Sequence, residues 1–180
     1  MSFRYEIRLS GAGGQGLILI GKIIAEAAAI YEDKNATQSQ SYGPEARGGA
    51  SRSEVIISDS DIDYPKATNI DLLLAMTQEA ADKYSNDIKP GGTIVMDSGF
   101  VHEAPEGDYT CYSFPITNIA EEQVGKKIVA NLVALGIIAE LSGIISDDSV
   151  INAIRARVPK GTEEMNITAF RAGQDLIRSS

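Results

Sequence analysis

Three consecutive pieces near the N-terminus constrain the fold most. Residues 4–9 (RYEIRL) alternate polar and apolar side chains with the two-residue period of a strand. A turn, SGAGGQG, follows, and residues 17–31 then read as a long apolar helix. Within the turn, Gly11, Gly13 and Gly16 have the spacing G-x-G-x-x-G, with Gly14 and Gln15 between the last two. The spacing has a mechanism only between a strand and a helix, where it stands here. Glycines let the backbone turn tightly and come close to a ligand. The free N–H groups and the positive end of the helix dipole favour an anion, usually phosphate. The alternative is a glycine turn that only lets strand and helix pack closely.

A nicotinamide or flavin dinucleotide would make a further demand. An acidic residue should end the next strand, about 20 residues on, to hold the ribose hydroxyls. That strand reads NATQSQS (35–41) and has no carboxylate, while Glu32 and Asp33 stand before it, at its wrong end. The turn is therefore suited to a phosphate from some other ligand, and a stand-alone dinucleotide-dependent reductase is disfavoured.

A second glycine-rich loop follows that polar strand: Tyr42, Gly43, Pro44, Glu45, Ala46, Arg47, Gly48 and Gly49. Pro44 stiffens it and the glycines let it bend sharply. The Arg47 fork suits a carboxylate or phosphate, and Glu45 stands where it can steer or pair with it. A plain structural turn is the alternative, with Arg47 paired to Glu45 or capping carbonyls.

The remaining pattern sets the fold class. SRSEVIIS (51–58) reads as a strand and residues 59–69 as a loop. IDLLLAMT (70–77) and TIVMD (93–97) are short continuous apolar runs, as in strands buried on both faces. Residues 78–87 read as a helix closed by Lys89, Pro90, Gly91 and Gly92, and 109–115 as a strand. Helices are predicted at 118–125, 126–143, 147–157 and from Thr162 to about residue 178. Strands alternating with helices predict an α/β fold: three layers around a mainly parallel sheet, a Rossmann-like start and an antiparallel elaboration in the middle, at 35–69. The 180 residues are expected to form one domain, 1–180.

Composition excludes several functions. Cys111 is the only cysteine and His102 the only histidine, so an iron–sulfur cluster held by four thiolates cannot form within the chain. A zinc site and a His-based triad are equally poor readings. Cys111, in the apolar stretch 109–114, is expected to be inert core. The net charge of −9, with no dense Lys/Arg run, argues against nucleic acid. No signal peptide opens the sequence, and a cytoplasmic protein is expected. Residues 128–145 (IVANLVALGIIAELSGII) approach the length of a bilayer span. Asn131, Glu140, Gly136 and Gly143 interrupt them, so a buried helix is expected instead, with no membrane contact. Asn131 should then bond to backbone or to a partner chain. Thr77, Gln78 and Glu79, and likewise Asp97 and Ser98, follow buried strands; they either line a ligand crevice or cap the next helices, and capping is favoured.

Taken together, SGAGGQG, SYGPEARGGASRSEVIISD and NLVALG resemble the gamma subunit of the 2-oxoacid:ferredoxin oxidoreductases, from Phe3 to about Val158. The length and pattern look closest to the 2-oxoglutarate and related enzymes. The resemblance implies a non-autonomous subunit of an enzyme that oxidatively decarboxylates a 2-oxoacid, takes up coenzyme A and passes electrons to ferredoxin. It implies thiamine diphosphate, magnesium and iron–sulfur clusters held with other subunits, of alpha, beta or delta type, since this chain lacks the Gly-Asp-Gly signature and the cluster cysteines. No catalytic residue or metal ligand is assigned to this chain. The expected anion-binding residues are Gly11, Gly13, Gly14, Gln15 and Gly16 with Tyr42, Gly43, Glu45, Arg47, Gly48 and Gly49. A purely structural scaffold is the alternative role.

Overall fold

The computed structural model describes residues 3–41 and 50–180. The first strand, β1 (Arg4–Gly11), leads through the glycine turn into α1 (Leu17–Tyr31). A hairpin pair follows, β2 (Asn35–Ser41) and β3 (Ser51–Ser58), then β4 (Ile70–Ala75), α2 (Gln78–Tyr84), β5 (Ile88–Asp97) and β6 (Tyr109–Phe114). Four helices close the chain: α3 (Ile116–Val124), α4 (Ala130–Ser142), α5 (Asp147–Arg157) and α6 (Glu163–Arg178). All the strands join one six-stranded sheet in the order β2-β3-β1-β4-β5-β6. The β1-β4-β5-β6 half is parallel, and β3 runs antiparallel to both β1 and β2. The predicted parallel sheet with an antiparallel elaboration is therefore borne out.

The sheet has two unlike faces. Ile7, Leu9, Val55, Ile57, Leu72, Leu74 and Val95 point to the face covered by α1, α3, α4, α5 and α6. Ile56, Ile70, Leu73, Ile94 and Met96 point to the other, where Ala80, Ala81 and Tyr84 of α2 pack. Every residue of α4 from Ala130 to Ile138 is buried, between β4 and α6. This explains why the helix is apolar nearly all round. Among the described residues, no helix is long and apolar enough to cross a membrane. The crossing of α4 and α6 is made by two glycines: a Cβ on Gly136 would lie 2.0 Å from the Phe170 carbonyl oxygen, and one on Gly173 1.9 Å from that of Val133.

Three expectations are corrected. Residues 89–92 do not end an element: β5 runs through them, with a register shift against β4 and Gly91 at φ 79°. A bulge accommodates glycine as readily as a turn does. Residues 126–143 are not one helix, because a 3-10 turn at Lys127–Val129 precedes α4. Cys111 is exposed, not core. It lies on edge strand β6, where the alternating Tyr112 and Phe114 pack against the helical layer and leave Cys111 on the opposite face.

Tyr5, on β1, makes the fold sensitive to alkali. Burial, helped by the Asp71 carboxylate, pushes its phenol up to about 12. The folded chain thus keeps this proton where the unfolded chain loses it, near the ordinary value of about 10. Its contribution to stability is complete below pH 10 and is lost as pH rises through 12. Tyr5→Phe is expected to flatten the fall in the urea midpoint between pH 10 and pH 12.

Candidate functional site

The glycine turn stands at the carboxyl end of β1. The end of β1 is locked on both sides: Met76 N–H donates to the Ser10 carbonyl (2.9 Å), while Ser10 Oγ donates to the Ser51 carbonyl (2.7 Å) and Ser51 Oγ to the Gly11 carbonyl (3.2 Å). Gln15 folds back, and its Oε1 accepts from Ala12 N–H at 2.7 Å. At the far end, Asn131 Nδ2 donates to the Gly16 carbonyl (3.1 Å) while Asn131 Oδ1 accepts from Leu132 N–H (3.0 Å). The expectation that Asn131 bonds to backbone is borne out, and the bond ties the turn to α4.

The glycines divide by what the chain demands of them. A Cβ on Gly11 would meet Gln15 Oε1 at 2.1 Å, and one on Gly16 would meet Asn131 Nδ2 at 2.3 Å. Gly14 and Gly16 also have φ of 83° and 72°, a region that disfavours side chains. Gly13 is different. It needs no positive φ, and a Cβ built on it meets nothing within 4 Å. Nothing among the described residues requires glycine there, and the position faces open space.

The start of α1 is left ready for an anion. No side chain caps it, and its first turn holds no acidic residue. Helices leave their first N–H groups without intrahelical partners, with partial positive charge. Two small cavities flank the turn. One, about 190 Å³, is lined by Gly14, Gln15, Met76, Phe100 and Lys127 among others. The second, about 280 Å³, lies between Gly16, Leu19, Ile128, Asn131 and Met165. Ile128 is 75% exposed and Phe100 47%. Lys127, Ile128 and Phe100 were not singled out from the sequence. An exposed isoleucine at the head of a buried apolar helix carries no local mark, although Lys126 and Lys127 beside it give a weak one.

The other expected site residues separate clearly. Tyr42, Gly43, Glu45, Arg47, Gly48 and Gly49 lie outside the described residues. Their flanks are placed: Ser41 pairs with Arg52 across β2 and β3, and Ser51 pairs with Gly11. Thr77 caps α2, its Oγ1 accepting from Ala80 N–H at 3.2 Å. Asp97 Oδ2 accepts from Thr117 N–H (3.1 Å) and Oγ1 (2.6 Å) at the start of α3. His102 is exposed, and Gln78 Oε1 holds its backbone N–H at 2.8 Å. Both capping expectations hold.

The order of strands explains the missing ribose carboxylate. In a dinucleotide fold the strand beside β1 is the one that α1 feeds. Here α1 feeds β2, but β3 is inserted between β2 and β1. Ser51 and Arg52 of β3 therefore stand where an acidic strand end would. The site can hold an anion and an apolar group, and its described residues present no redox group.

Fold and site together define the class. The profile of the pyruvate ferredoxin/flavodoxin oxidoreductase family matches residues 6–176, and the chain belongs to that family. Among curated relatives, the 2-oxoglutarate synthase subunit KorC of Methanocaldococcus jannaschii is 51% identical over 180 residues, covering 99% of this chain and 96% of its own. Among solved structures, the keto/oxoacid ferredoxin oxidoreductase gamma subunit of Geobacter sulfurreducens PCA superposes with a TM-score of 0.91 at 53% identity, over 98% of each chain. A 2-oxoglutarate:ferredoxin oxidoreductase of Magnetococcus marinus, solved with 2-oxoglutarate, coenzyme A and succinyl-CoA bound, gives a TM-score of 0.86 at 25% identity. That match covers 98% of this chain and 31% of the larger one. The resemblance to a gamma-type subunit is borne out in family and in fold.

Proposed function

We propose that this chain is the gamma-type subunit of a 2-oxoacid:ferredoxin oxidoreductase whose substrate is 2-oxoglutarate. The carrying observation is the 51% identity to a 2-oxoglutarate synthase subunit along almost the whole of both chains. The reaction is oxidative decarboxylation of the oxoacid with transfer of its acyl group to coenzyme A, the electrons passing to ferredoxin. Companion subunits of alpha, beta or delta type hold the thiamine diphosphate, magnesium and iron–sulfur clusters. One exposed cysteine does not fit a cluster, so no electron step is assigned here.

Coenzyme A does fit the glycine turn. The uncapped start of α1 suits its phosphates, Lys127 adds a cation, and the apolar cavity by Ile128 suits an uncharged arm. Bound coenzyme A supplies the thiol that accepts the acyl group. In this reading Gly13, Gly14 and Gly16, with Arg47, hold the anion while Gln15 and Asn131 keep the turn in shape. The exposed Ile128 and Phe100 favour a second reading, in which the same surface is a subunit contact and the chain is a scaffold.

Gly13 separates the two readings. Gly13→Ala in the whole complex should leave the stability of the chain unchanged and raise the apparent KM for coenzyme A about ten-fold, because its methyl would enter the space that the bound ligand needs. Arg47→Ala should do the same. Loss of assembly with an unchanged KM in the residual complex would select the scaffold. Should both variants leave assembly and KM unchanged, neither loop serves the proposed role.

A further inference from the structure

A larger cavity, of about 660 Å³, lies on the sheet face opposite the helical layer and is lined by Arg8, Arg52, Lys66, Glu54 and Asp87 together with hydroxyl and amide side chains. It shares no lining residue with the two cavities at the glycine turn. Strand register builds it. Ser39, Glu54 and Arg8 stand side by side across β2, β3 and β1, and Ser41, Arg52 and Ser10 form the next row. Further along the same rows the side chains become Leu73 and Ile94, then Ala75 and Met96. Those apolar positions pack in the α2 cluster. This face is thus polar in one half and apolar in the other, and the polar half holds the cavity.

Among the described residues, the charges that line the cavity are not balanced. Arg8 is only 3% exposed. It is held by Asp87, by Glu54 Oε1 at 3.5 Å and by the Ala67 carbonyl at 3.1 Å. Its Nε is buried with no partner. Glu54 is fully engaged: Oε1 also takes Arg52 Nε at 3.3 Å, and Oε2 accepts from Ala67 N–H at 3.1 Å. Both guanidinium groups lie over the Tyr84 ring, at 5.1 and 5.8 Å from its centroid. Among the described residues that line the cavity, three cations, Arg8, Arg52 and Lys66, face two carboxylates, Glu54 and Asp87. Among these residues that leaves an excess of one positive charge, in a chain whose net charge is −9. A closed structural ion network would end near neutrality with every buried donor engaged.

We infer that this cavity binds a small oxyanion, a phosphate or a carboxylate, which neutralises Arg52 and Lys66 at the rim. Planar guanidinium forks favour such oxygens over halides, and Thr68 and Ser39 add hydroxyl donors at the wall. The inference does not rest on the proposed function, which concerns the glycine turn and the helical face of the sheet.

The test is isothermal titration of the full-length chain with inorganic phosphate, with pyrophosphate and with citrate, each against sodium chloride of equal ionic strength. One equivalent of anion should bind, and the tighter of the phosphate and citrate arms identifies the class. Arg52→Gln and Lys66→Gln should each weaken binding about ten-fold, while Gly13→Ala should leave it unchanged. Circular dichroism checks that the variants fold, which their position at the rim favours. Three results would overturn the inference: no binding beyond chloride, binding indifferent to both rim substitutions, or binding lost in Gly13→Ala. The last would place the anion at the glycine turn and leave the proposed function standing.

Discussion

Gly173→Ala is expected to destabilise the chain by about 3 kcal/mol or more, the upper part of the range for overpacking. For a chain of this size the melting temperature should fall by about 6–12 °C. The added methyl would sit 1.9 Å from the Val133 carbonyl oxygen and 3.1 Å from Gly136 Cα. These are backbone atoms of α4, so no side-chain rotation relieves the clash. The two helices must part, and α4 is the buried centre of the helical layer. Gly136→Ala meets the same crossing from the other side, with the Phe170 carbonyl oxygen at 2.0 Å. Its cost should be similar, and the double variant should cost clearly less than the sum, since one separation relieves both clashes. Thermal unfolding of the two single variants and the double variant checks this. A Gly173→Ala melting temperature within 1 °C of the parent would show that the helices do not cross so closely.

Much of this was legible in the sequence, because the signals were local. The alternation in residues 4–9, the glycine turn and the apolar run of 17–31 place β1 and α1 almost to the residue. The absence of a carboxylate in NATQSQS argues against a dinucleotide from the sequence alone. Its cause was hidden, because the insertion of β3 between β2 and β1 is a matter of pairing between distant segments. The same limit explains Cys111: an apolar run names a strand, but only the tertiary order tells that β6 is an edge. Pro90, Gly91 and Gly92 mark a bend in either case, and a bulge and a turn use the same residues.

The candidate site was half legible. Spacing alone could not say which glycines the fold itself needs. Gly11 and Gly16 turn out to be held by contacts with Gln15 and Asn131, so part of the motif is structural. Gly13 is the position whose glycine the fold itself does not require. Lys127, Ile128 and Phe100 come to the turn from far along the chain. The cavity around Arg8 was equally hidden: its two rows draw on three strands, and no single segment shows an excess of charge.

Asp97→Ala is expected to cost about 3 kcal/mol, on the scale of a buried charged acceptor and the donors it leaves unpaired. Asp97 is completely buried at the end of β5. Oδ1 accepts from Gly99 N–H at 3.0 Å, while Oδ2 accepts from the N–H and hydroxyl of Thr117. One carboxylate thus closes the loop after β5 and caps α3, beside the Phe100 and Thr117 wall of the smaller cavity. Alanine removes both oxygens and strands the two N–H groups. Asparagine keeps one oxygen but turns a donor towards the other set, so Asp97→Asn should fall between parent and alanine. Urea unfolding of the three proteins measures the order. A ligand-lining role would predict the reverse emphasis: near-parental stability for Asp97→Ala, with the loss confined to activity of the assembled enzyme. If that were found, Asp97 would belong to the site, and the cap on α3 would contribute little to the fold.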